Sequence, residues 1–171
     1  MEYIKKEITE RIKKYIEDYM YLISSHSLHK LQSRVLINEI LEKYEKDKES
    51  VTVDDISKLS ISRQYEAGLI LEINRYRLLI LKLSDMCEKL NVELCLNEKE
   101  NEVEKAIRND SLSDVVFHIR KDSPIEFKDP DICEAISLRV SKSFSNDFRD
   151  AVIIQLINEK KQTSRTTQHK Q

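Results

Sequence analysis

His26 and His29 stand three residues apart, a spacing that sets two imidazoles on one face of a helix, as zinc binding asks. No cysteine or carboxylate completes the set nearby in sequence, and the surrounding SSHS reads as a link between helices. His118 and Cys133 could serve as a thiol–imidazole pair, yet such pairs are assembled by the fold, so nearness along the chain is no argument for one. Both sets are read as structural. The chain has no GxSxG elbow, no HExxH and no glycine-rich phosphate loop. With one glycine in 171 residues, a backbone cradle for phosphate is nearly excluded. The economical expectation is a protein that is not an enzyme and that carries no metal and no cofactor.

A different chemistry is posed by LEINRYRLLILKL, residues 71–83, where Arg75 and Arg77 interrupt an apolar run. A helix turns about 100° per residue, so the two arginines lie on roughly opposite flanks and one of them points toward a core. Glu72, three residues before Arg75, can pair with it at the level of a few tenths of a kcal/mol. Arg77 has no such neighbour. It shares its side with Glu66, Ile70, Ile73, Ile80 and Leu81, so a carboxylate or free carbonyls from another helix or another chain should meet it, unless its long stem carries the charge to water.

Composition bounds the frame that must position these residues. Acidic and basic side chains nearly balance, 31 against 29, so the net charge of −2 advertises neither a nucleic-acid glove nor a polyanion site, and any such contact must be local. One glycine and two prolines favour long helices over a many-stranded sandwich. Cys87, Cys95 and Cys133 form no CxxC, and MEYIKKEITE lacks the apolar core of a signal peptide, which reads as a reduced, intracellular chain. No apolar run approaches the roughly 18 residues that span a bilayer.

Along the chain, Ile4, Ile8, Ile12, Tyr15, Ile16, Tyr19, Leu22 and Ile23 recur in helical steps, and Leu31, Val35, Leu36, Ile40, Leu41 and Tyr44 repeat them after the SSHS break. Asp54 or Asp55 caps a short turn through Ile56 and Leu59. From about Ser62 to Leu90 the apolar positions cover almost the whole circumference, which marks a central helix surrounded by neighbours; Gly68 within it is either a close approach of another backbone or a tolerated cost. A fourth helix runs through Val103, Ala106 and Ile107, breaks at 109–111 and restarts through 112–119. Pro124 and Pro130 then bracket a linker. Beyond it, EAISLRVSKSF alternates with period two, AVIIQLI is rich in β-branched residues, and SNDF holds turn formers, the signature of a hairpin. The expected fold is mostly α, a four-to-five-helix bundle followed by a small C-terminal β-hairpin subdomain. The expected boundaries are a helical bundle over 1–121, a linker over 122–134, a β-rich subdomain over 135–157 and a disordered basic tail over 158–171. In that tail Lys160, Lys161, Arg165 and Lys170 stand against Glu159 and offer a nucleic-acid contact.

The stretch RQYEAGLILEINRYRLLILKL resembles the third long helix of the GINS DNA replication factors, in the subunit type with a helical domain first and a small β-rich domain last. Arg75, Arg77 and Leu78 stand on that family's Arg-x-Arg-Leu. The preceding VLINEILEKYEKDKE lies at a similar distance, and KDPDICEAISLRV resembles the entry into the small domain, through Pro130, Asp131, Ile132, Leu138, Arg139 and Val140. The resemblance implies a nuclear, non-catalytic scaffold subunit of a four-protein complex that joins the replicative helicase to its partner factor. Its sister subunits would be met through Arg75, Arg77, Leu78, Leu79, Leu83, Ile136, Leu138 and Val140. The rival expectation is a self-sufficient helical protein-binding module of the viral or parasite effector type.

Overall fold

Four apolar residues spaced by four and three, Ile8, Ile12, Ile16 and Tyr19, are buried on one face of the first helix, and no glycine or proline follows to stop it. The structure, a computed structural model, describes residues 2–109 and 129–169. Helix α1 therefore runs unbroken over Glu2–Lys46, and the expected interruption at residues 24–27 is absent. Serine costs a helix interior only a few tenths of a kcal/mol, and Ser24, Ser25 and His29 are themselves buried.

The turn that ends α1 is made by side chains. Asp47 accepts the Glu49 N–H at 3.1 Å, and the Ser50 hydroxyl donates to the Lys43 carbonyl at 2.9 Å. Helix α2, Val53–Lys89, begins nine residues before the expected Ser62, because Thr52 and Asp55 cap it reciprocally. The Thr52 N–H donates to Asp55 Oδ2 at 3.0 Å and the Asp55 N–H to Thr52 Oγ1 at 3.4 Å, which satisfies two donors that a helix start leaves open. At the far end Asn91 takes a positive φ of 51°, and the Val92 N–H reaches back to the Cys87 carbonyl at 2.8 Å. This is the left-handed stop that glycine usually supplies.

Helix α3, Glu98–Asn109, opens on a second reciprocal cap. The Asn97 N–H donates to Glu100 Oε1 at 3.0 Å and the Glu100 N–H to Asn97 Oδ1 at 2.8 Å. The expected break at 109–111 and restart through 112–119, together with His118 and Pro124, lie almost entirely outside the described residues.

The C-terminal hairpin is overturned. Residues Pro130–Ser143 form α4 and Asn146–His169 form α5, and no strand occurs among the described residues. Pro130 sits in the first turn of α4, where its missing N–H costs nothing, and Asp129 caps that turn by accepting from Asp131 and Ile132. Ser145 Oγ accepts the Phe148 N–H at 3.1 Å and opens α5. Ile136 and Val140 are four apart and share a helical face as readily as a strand face; Leu138, which a strand would bury with them, is 55% exposed. The segment expected as a disordered tail is helical as far as His169.

Among the described residues, 2–29 with 66–109, and 30–65 with 129–169, belong to two compact units, a different division from the expected bundle and subdomain. In the first unit Ile12 and Ile16 of α1, Ile73 and Ile80 of α2, and Val103 and Ile107 of α3 are buried. In the second, Ile40, Val51, Ile56, Leu59, Val140, Ile153 and Leu156 make one core. Helix α2 is not apolar-buried all round. Leu69, Ile73, Ile80 and Cys87 are covered, whereas Leu71 and Leu78 are 70% and 60% exposed. Among the described residues, no helix is long and apolar enough to cross a membrane.

Candidate interaction surfaces

The two arginines of α2 part as their spacing requires. Arg75 points outward, where it pairs with Glu72 at 3.1 Å and lies 5.3 Å from the centre of the Tyr76 ring. Arg77 is half-buried and acts on Tyr19, a side chain of α1 with no exposed surface. Burial pushes the Tyr19 phenol up to about 12, against the pull of the Arg77 cation, which lowers it. Beside them Tyr15 and Tyr76 meet edge to face at 5.8 Å. The inward arginine thus acts on a phenol of α1 in its own unit, a group other than the carboxylate or carbonyls its position called for.

The outward face of α2 carries Leu71, Arg75, Leu78 and Lys82, all exposed, with the two leucines seven residues apart. Leu79 and Leu83 are half-buried. In the second unit Ile136 packs against the core, Val140 belongs to it, and Leu138 faces out. Of the eight residues expected at an interface, Arg75, Leu78 and Leu138 are the ones this chain leaves open.

His26 and His29 of α1 have separate surroundings. His29 is buried, His26 Nε2 lies 3.6 Å from Glu66 Oε1, and no group of three or more metal-ligating side chains occurs among the described residues. Cys87 is buried and its thiol is pushed up by that burial, away from the reactive thiolate form. Cys95 is exposed and Cys133 half-buried.

The second unit holds a cleft of about 820 Å³ between the end of α1 and the end of α5. Leu41, Tyr44 and Ile157 supply its apolar wall, and Lys48, Lys160, Lys161 and Arg165 its charge, with Glu45 the single carboxylate. Three of the four basic residues expected to meet nucleic acid are therefore gathered in one place; Lys170 lies outside the described residues. Lys160 Nζ also donates to Asn38 Oδ1 at 3.2 Å, and the Lys48 ammonium lies 5.7 Å over the Tyr44 ring. That ring is anchored. Its hydroxyl donates to Asp150 Oδ1 at 3.0 Å, and the same oxygen accepts from the buried Arg149 at 3.3 Å.

Sequence reasoning missed Tyr44 and Lys48. Lys48 lies in EKDKES, which reads as the solvated end of a helix, and nothing local ties it to residues more than a hundred positions later. Had AVIIQLI been continued as a helix, Ile157, Lys160, Lys161 and Ser164 would have fallen on one face. Comparison of the chain with protein-family models, with curated proteins and with solved structures finds no match. The fold and these surfaces define a mostly helical protein.

Proposed function

We propose that this protein is a non-catalytic scaffold that joins other protein chains through the outward face of α2. The observation that carries the reading is the pair Leu71 and Leu78, 70% and 60% exposed on a helix whose opposite face is buried. A seven-residue repeat of leucine is the spacing of a seam between helices, and Arg75 and Lys82 supply the polar rim that protein interfaces carry. The occupant is a helix of another chain. The resemblance of RQYEAGLILEINRYRLLILKL to the GINS helix supports a more particular version, a replication scaffold in the nucleus that assembles with sister subunits and the replicative helicase. That version now rests on α2, since the stretch compared with the entry to a β-rich domain is helical.

One observation favours the self-sufficient binding module instead. The second unit closes a core of its own from seven buried side chains. Size-exclusion chromatography with light scattering separates the two readings, first on the chain alone and then after co-expression with GINS candidates of the same organism. The scaffold reading expects poor behaviour alone, rescue into a defined complex, and loss of that complex in Leu71→Glu/Leu78→Glu. A monodisperse 20.2 kDa monomer that ignores those partners overturns it.

A further inference from the structure

We infer that the cleft between the ends of α1 and α5 binds single-stranded nucleic acid, with Lys48, Lys160, Lys161 and Arg165 on its phosphates and the Tyr44 ring beside a base. Charge is the first support. The chain as a whole is slightly acidic, yet this cleft sets four cations against one carboxylate. Among the described residues Lys48, Lys161 and Arg165 form no salt bridge, so their charge is available to a ligand.

The lining chemistry narrows the class. A groove for an amphipathic peptide is apolar along its length, whereas from Asn158 onward α5 presents no apolar side chain at all. Cations among hydroxyls and amides are the groups that contact phosphate oxygens. The remaining wall, Leu41, Tyr44 and Ile157, suits a planar base that is free to leave its stack, as single strands allow and a duplex does not. Tyr44 is held for that role, because Asp150 and Arg149 fix its hydroxyl end. The Lys48 side chain now over the ring is long enough to swing to a phosphate.

The test is fluorescence anisotropy of the full chain with labelled oligothymidylate and oligouridylate of about twenty nucleotides, the corresponding duplex, and polyglutamate as a competitor. The inference expects binding to single strands in preference to duplex, with the deoxy and ribo strands distinguishing the source of the phosphates. With three or four phosphate contacts, log affinity should fall with log salt at a slope of about −2 to −3. Lys160→Glu/Lys161→Glu should lose at least tenfold, and Tyr44→Leu at least fivefold. Circular dichroism checks that the variants fold, and Arg165→Glu alone, at an exposed position, serves if the double variant does not. Absent binding, binding that survives the charge reversal in a folded variant, duplex bound as well as single strand, or displacement by polyglutamate as effective as by unlabelled strand would each overturn the inference. No partner chain is needed, so the result is independent of the scaffold reading.

Discussion

The Arg77 cation of α2 acts on the buried phenol of Tyr19 of α1, drawing down a pKa that burial nonetheless pushes up to about 12. Arg77→Met should therefore raise the Tyr19 value further, while Arg75→Met leaves it unchanged. Absorbance titration of the phenols reads this, with Tyr19→Phe identifying the signal. The raised value also has a sign for stability. Tyr19 holds its proton more tightly folded than unfolded, so its contribution is complete below about pH 10, the ordinary phenol value, and is lost as pH rises toward 12. Tyr19→Phe should flatten that alkaline loss.

The same arrangement separates the two arginines in stability. Arg77→Ala removes a half-buried side chain between helices and should cost about 1–3 kcal/mol. Arg75→Ala breaks an exposed pair and should stay within about 0.5 kcal/mol. Urea denaturation measures both, and equal near-zero effects would mean that Arg77 reaches water as freely as Arg75.

Asp55 ties the start of α2 to α1. Burial pushes its carboxyl up, but the Thr52 N–H and the Lys43 ammonium, 3.1 Å away, outweigh it and hold the group below the usual carboxylate range. Its stabilisation is present above about pH 4, the unfolded value, and is lost as pH falls through the lower folded value. Asp55→Asn keeps an oxygen for the cap and removes the charge, so it should cost about 1–2 kcal/mol at neutral pH. Its deficit should shrink below about pH 4 in denaturation series at stepped pH.

A Cβ added at Gly68 would meet nothing within 4 Å, so the glycine admits no neighbouring backbone and is a tolerated cost. Gly68→Ala should stabilise by about 1 kcal/mol, visible as a higher Tm. A lower Tm would indicate a contact that the isolated chain lacks.

Helix against hairpin is decided on α5. Ile153 and Leu156, three apart, are both buried while Ile154 is 57% exposed; a strand would place Ile153 and Leu156 on opposite faces. Ile153→Ala and Leu156→Ala should each cost about 2–5 kcal/mol, and Ile154→Ala under about 0.5 kcal/mol.

What the sequence determined by itself is the helical character and the inward faces of the long elements. The row Ile8, Ile12, Ile16 and Tyr19 is written in steps of three and four, and scarce glycine and proline leave a chain little choice but helix. The opposed flanks of Arg75 and Arg77 followed from geometry alone. Tertiary structure decided the rest. Short β-branched runs such as AVIIQLI satisfy a strand or a helix, and only packing Ile153 and Leu156 against Ile40, Val51 and Ile56 settled which, because local propensity differs by less than burying two such side chains contributes. The all-round apolar pattern of α2 could not reveal that Leu71 and Leu78 would stay uncovered, since hydropathy says what would gain from burial and not whether a neighbour exists. The cleft was legible only as a basic tail, because Lys48 and Arg165 are brought together by the fold and by nothing in the 116 residues that separate them.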